Sequence, residues 1–116
     1  MELPREAALM RIYTDEAARA GHKSLFETIV RKARDQGIAG ATVLRGPMGF
    51  GHSSVIQNAS ILNLSANLPL VIEIVDEPDK LRAFFRTLES LEDIALVTME
   101  KVEILHYGGA PEARGG

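Results

Sequence analysis

Glycines at 37, 40, 46, 49 and 51 punctuate the run GIAGATVLRGPMGFG, from Gly37 to Gly51, and surround the β-branched pair Thr42 and Val43. Only glycine enters left-handed or crowded backbone conformations without steric cost, so this run is suited to stopping a helix, laying down a strand and opening a loop. Gly46, Gly49 and Gly51 fit the cradling of an anion by backbone N–H groups, and equally the shaping of a hairpin base or bulge. Phe50, between two glycines, is placed either to stack on a base or to plug a gap between subunits. Arg45 would meet a phosphate or carboxylate, or form an ion pair with a neighbouring subunit. Arg11 with Glu73 reads as a structural ion pair at a sheet interface, ahead of a buried proton-handling pair.

His22, His52 and His106 raise metal binding, since neutral imidazole is a common ligand. Their spacing has no helical i,i+4 pair and no cysteine companion, so no metal ligand is assigned; a symmetric trimer offering one histidine per chain keeps a metal-binding trimer as a minor alternative. No nucleophile stands beside a base, and no catalytic residue is assigned.

Composition narrows the class. With 116 residues, 46% of them hydrophobic, the chain is expected to form one domain with a modest core, over 1–107, and a polar, glycine-rich disordered tail over 108–116. The formal net charge of −3, with acids and bases interspersed, leaves no electrostatic footprint for nucleic acid or an anionic membrane. No run approaches a membrane span, and the start MELPRE has no signal core, so direct membrane insertion is not expected. The absence of cysteine excludes disulfides and thiolate catalysis. A cytoplasmic location follows as the expectation.

The elements that must position these residues are read from periodicity. Ala7 to Thr14 alternates, with Ala8, Met10 and Ile12 on one face and Leu9, Arg11 and Tyr13 on the other, as a first strand. Asp15 to Lys23 reads as a connection. Ser24 and Glu27 have the spacing of a capping box, ahead of a helix with the stripe Leu25, Ile29, Val30 and Ala33 and a stop at Gly37. A second strand runs from about Ala41 into the glycine loop. More than twenty residues then intervene, a length typical of functional or mobile loops; its second half, with Ile56, Ile61, Leu62 and Leu64, is expected to extend the hairpin or pack on a neighbouring chain. Leu70 to Val75 is the strongest strand. Asp76, Glu77 and Pro78 start a helix carrying Leu81, Phe84, Phe85, Leu88 and Leu91, and Ala95 to Leu105 is the last strand.

Strand, helix, strand, strand, helix, strand predicts an α+β fold: the ferredoxin-like βαββαβ antiparallel sheet, with two helices on one face and a long loop between strands two and three. The uncovered face would carry some of Arg11, Glu73, Lys101 and Glu103 beside valines and leucines, too apolar for bare solvent and too charged for a sealed core. A homo-oligomer joined through that face, with charges paired across or around an axis, resolves this, and a homotrimer is expected.

GIAGATV followed by GFG, then LPLVIEIVDE before the second helix, resembles the PII signalling proteins. From LMRIY through ATVLRGPMGFG and LPLVIEIVD to VTMEKVEIL, nearly the whole chain is similar to the PII-like Domain of Unknown Function 190 family of bacteria and archaea. The resemblance implies a ferredoxin-like trimer whose long loop, the T-loop, reaches partner proteins and changes shape with bound effector. It also implies a ligand cleft between subunits, matched here by Gly40, Ala41 and Thr42, by Gly49, Phe50 and Gly51, and by Glu73 and Val75. The chain departs from the PII pattern elsewhere. Ser90-Leu91-Glu92-Asp93-Ile94 replaces a glycine and lysine phosphate loop, Glu103 and Leu105 stand where two arginines would, and His52, Ser53 and Ser54 follow GFG in place of basic and amide residues.

Charge-assisted hydrogen bonds contribute roughly 1.5 to 3 kcal/mol each, so losing these partners disfavours a triphosphate. The expectation becomes a regulatory, non-enzymatic trimer binding a small nucleotide or other anion through Thr42, Arg45, Gly49, Phe50, Gly51, His52, Ser53 and Glu73, with no certain cofactor. Residues 46–68 would dock a protein partner. The alternative is a small ferredoxin-like enzyme of isomerase or oxygenase type, which would need an enclosed pocket holding a reactive residue such as His52 or Tyr13.

Overall fold

The computed structural model describes residues 5–51, 53–59 and 66–108. Its elements are β1 (Glu6–Asp15), β2 (Arg19–Ala20), β3 (Lys23–Ser24), α1 (Leu25–Asp35), β4 (Gly40–Arg45), β5 (Met48–Gly49), β6 (Gln57–Asn58), β7 (Pro69–Asp76), α2 (Pro78–Arg86) and β8 (Leu96–Glu103). The four long strands form one sheet in the order β4-β7-β1-β8, every neighbouring pair antiparallel. With two helices this is the expected α+β, ferredoxin-like fold. The readings of Ile61, Leu62 and Leu64 and of the tail over 109–116 lie outside the described residues.

Alternation in the two central strands decides which face is sealed. Ala8, Met10 and Ile12 of β1 stand opposite Asp76, Ile74 and Ile72 of β7, and all are buried under Leu25, Ile29 and Ala33 of α1 and Leu81 and Phe84 of α2. Leu88, beyond the end of α2, completes this core. Burying each of the leucine, isoleucine, methionine and phenylalanine side chains among them stabilises the fold by about 1.5 to 3 kcal/mol.

Helix α1 ends as its glycine demands. Gly37 has φ +75°, its N–H donates to Arg34 O at 3.1 Å, and Ile38 N–H donates to Ala33 O at 2.9 Å. These bonds make a Schellman closure that turns the chain back toward β4. The helix starts at Ser24 as expected, but the capping box does not form. Ser24 Oγ is buried without a hydrogen-bond partner among the described residues, while Leu25 N–H donates to Ala18 O at 2.9 Å. The connection before the helix is itself ordered: Ser24 is paired with Arg19 in a β2–β3 hairpin, which fixes the backbone ahead of the first turn. Gly21, at φ +64°, occupies the first position of its two-residue turn, where primed turns favour glycine.

Asp76, read from sequence only as a helix-start acid, is the main polar anchor of the fold. Only 2% exposed, it accepts hydrogen bonds from Ala39 N–H at 3.0 Å and Glu77 N–H at 2.7 Å and pairs with Lys80 at 3.3 Å. Lys80 also donates to Gly37 O at 2.6 Å, so one carboxylate and one ammonium join the start of α2 to the α1–β4 turn.

Candidate functional site

Two regions gather the residues singled out by sequence. The first is the uncovered face of the sheet. Thr42, Glu73, Arg11 and Thr98 lie in one row across its four strands, flanked by Leu44, Val71, Tyr13 and Leu96 in the next. Arg11 donates to Glu73 at 3.0 Å and to Glu100 at 2.7 Å, from side chains about one-third, three-tenths and one-half exposed. Bonds to Glu100, then to Glu73, raise the guanidinium above its ordinary pKa, so Arg11 is charged at any working pH. The structural ion pair is thus present, with Glu100 as an added partner. Lys101 and Glu103 stand in register with Ala8 and Glu6, on the helix-covered parity, and do not belong to this face. The charges of the open face pair within the chain, so pairing across an axis is not needed to neutralise Arg11.

The second region is the base of the long loop. Gly46 N–H donates to Pro69 O at 2.9 Å, and the chain then forms the short β5–β6 ladder with Met48 opposite Asn58 and Gly49 opposite Gln57. A Cβ at Gly46 or Gly49 would sit 3.1 Å from Pro69 Cγ. These glycines are explained by close approach to the start of β7, while left-handed backbone belongs to Gly21 and Gly37. Beyond Gly51 the chain turns through Ser54, at φ +62°, whose N–H donates to Gly51 O at 2.9 Å.

Gly49, Phe50, Gly51 and Ser53 line a cavity of about 230 Å³ together with Gln57 and Asn67 and with Tyr13 and Asp93 at the sheet end. Tyr13 is brought there by the last residues of β1, and Asp93 by the segment entering β8. Asp93 holds φ +70°, its carbonyl accepts the buried Thr14 hydroxyl at 3.0 Å, and Ala95 N–H donates to Tyr13 O at 2.9 Å. Sequence reading alone does not assign Asp93 to a ligand site, since its closeness to Gly49 depends on the β1–β8 pairing. The acidic run Glu92-Asp93 where a phosphate loop would stand is the available signal.

The structure therefore brings Gly49, Phe50, Gly51 and Ser53 together and leaves Thr42 and Glu73 on the open sheet face. Arg45 pairs with Glu16 of its own chain at 3.1 Å, and the other oxygen of Glu16 accepts Leu68 N–H at 3.2 Å. That pair fastens both ends of the loop within one chain. His52 lies outside the described residues. His22 sits in the β2–β3 turn and His106 beyond β8, and no group of three potential metal-ligating residues occurs among the described residues. Nor is any helix among them long and apolar enough to cross a membrane.

A family model described as DUF190, Uncharacterized ACR, matches residues 7–104. The chain belongs to this family. A UPF0166 protein of Aquifex aeolicus (strain VF5) is 32% identical over 98 residues, covering 84% of this chain and 92% of the relative. Another, from Methanocaldococcus jannaschii, is 35% identical over 71 residues, covering 61% and 65%. The fold is similar to that of a protein from Thermus thermophilus described as PII-like and signalling, at TM-score 0.60 and 16% identity, over 85% of this chain and 89% of that one. It is also similar to CPII from Thiomonas intermedia K12, solved bound to ADP and bicarbonate, at TM-score 0.53 and 16% identity, over 85% and 88%. At such identity these two likenesses concern the fold. The DUF190 member thus has a PII-like, ferredoxin-like fold.

Proposed function

We propose that this DUF190 protein is a non-enzymatic, PII-like regulator that binds a small anionic effector at the loop base and a protein partner through residues 46–68. The observation that carries the reading is the cavity itself: the loop segment Gly49 to Ser53 forms one wall and the sheet end, through Tyr13 and Asp93, forms the other. A ligand held between them contacts both the loop and the rigid sheet. It therefore favours one loop arrangement over others, and a partner that prefers that arrangement binds more tightly, as population shift requires.

The working form is a cytoplasmic homotrimer joined through the open sheet face, which places Leu44 and Leu96, both about half exposed, out of water. Thr42 and Glu73 would then border the ligand cleft from a neighbouring subunit. Adenine nucleotides and bicarbonate are the first ligands to try, since a fold neighbour is bound to ADP and bicarbonate. Thermal-shift screening against these anions is expected to yield a stabilising ligand, and Gly51→Val to abolish the shift without unfolding the protein, because a Cβ there meets nothing within 4 Å among the described residues. Absence of any stabilising anion, with partner binding unchanged on deletion of the loop, would end the sensing reading.

A further inference from the structure

We propose that Asp93 makes the loop-base cavity selective for ligands of low negative charge, so that a nucleoside monophosphate binds in preference to the di- and triphosphate. This rests on the effector-binding reading above and adds the charge class of the ligand and the residue that sets it.

Three observations lead to it. The cavity, at about 230 Å³, is smaller than the ~300 to 1,000 Å³ usual for a whole drug-sized ligand, so it holds the nucleoside portion and leaves phosphates outside. Its lining suits that portion. Phe50, two-thirds exposed, and Tyr13 offer aromatic faces on which a base stacks, and Ser53, Gln57 and Asn67 supply polar side chains for its edges. The third observation is charge. Among the described lining residues there is no lysine, arginine or histidine, while Asp93 lines the cavity with a carboxylate that no hydrogen bond or ion pair among the described residues engages. The other acid of the lining, Asp15, has Oδ1 engaged by Ala18 N–H at 2.8 Å and keeps its charge, which adds to that of Asp93. Arg45, the cation of the loop base, is paired with Glu16.

An unengaged carboxylate accepts hydrogen bonds from the hydroxyl and amino donors of a nucleoside and repels each added phosphate. A unit charge about 6 Å away in water changes affinity by about threefold, and salt screens the effect. Asp93 is also held in place: its carbonyl accepts the Thr14 hydroxyl, and its left-handed backbone is one that Asp and Asn tolerate better than most residues.

The test is calorimetric titration of the full chain with adenosine, AMP, ADP and ATP in EDTA. Adenosine is expected to bind at least as tightly as AMP, and ATP about tenfold more weakly than AMP, with ADP between them. Asp93→Asn keeps the backbone preference and is expected to narrow the AMP-to-ATP difference from about tenfold to about threefold, the remainder belonging to Asp15. Raising the salt on the unmodified protein should compress the series as well, which tests the charge effect without relying on a variant. ATP binding as tightly as AMP, or a series unmoved by both Asp93→Asn and salt, overturns the inference and leaves the nucleotide site standing. Failure of all four ligands to bind overturns the inference together with nucleotide binding at this site.

Discussion

The two faces of the central sheet are written by the same strands in alternate residues, and they behave differently. On one, Met10, Ile12, Ile72 and Ile74 are sealed under both helices. On the other, Leu9, Tyr13, Val71 and Val75 surround the Arg11–Glu73–Glu100 charges and remain part-exposed or open. The first face holds the monomer together. The second is too apolar to be only a solvent surface, yet Arg11 is already paired within the chain, so the proposed trimer would not depend on a neighbouring subunit to pair that cation. The loop-base cavity opens at the end of this sheet, where Tyr13 closes the uncovered row.

The comparison breaks most visibly on the sealed face. Ile72→Ala is expected to cost about 2 to 5 kcal/mol, read by urea unfolding, because it removes buried methyl groups and leaves a cavity under two helices. Equal stability in the variant would mean that this face is not the core. Arg11→Ala should cost less, on the order of 1 to 2 kcal/mol in the same assay, since it leaves Glu73 and Glu100 without their shared cation in a half-exposed setting. A matching double change of both glutamates to glutamine should recover part of that loss. Leu44→Glu with Leu96→Glu is expected to change monomer stability by no more than about 0.5 to 1 kcal/mol, as both side chains are already half exposed. It should instead convert the proposed trimer to monomer in sedimentation. The smallest effect is at Ser24. Because its buried hydroxyl has no partner among the described residues, Ser24→Ala should be neutral within about 0.5 kcal/mol, whereas a functioning capping box would lose about 1 kcal/mol.

Much of this fold is legible in the sequence because its signals are local. Alternation in LMRIY places β1 with the right face inward, the spacing of Leu81, Phe84 and Leu88 places α2, and Gly37 marks a true left-handed stop. Features set by tertiary pairing are not legible. The Ser24–Glu27 spacing and the extended backbone of Ser24 both suit a cap, yet the side chain makes no cap bond, and the β2–β3 hairpin that holds Ser24 beside Arg19 is not written in the local pattern. Asp76 looks like one acid among several at a helix start; Lys80 lies four residues further along the same sequence, but the anchoring role emerges only when β4–β7 pairing brings Ala39 N–H to the carboxylate. At the loop base, Gly49, Phe50, Gly51 and Ser53 are readable as a group because they are consecutive or nearly so. Tyr13 and Asp93 join them through the sheet register, which no local pattern encodes.

Calorimetric titration of AMP into the unmodified protein and into Gly51→Val, at matched concentration and buffer, tests the central claim most directly. The account predicts saturable binding to the former and its loss in the latter, with both proteins giving the same unfolding midpoint, since the added side chain enters open space lining the cavity. Equal binding to the two proteins would place the ligand elsewhere, and absence of binding to the unmodified protein would contradict a nucleotide-responsive loop base.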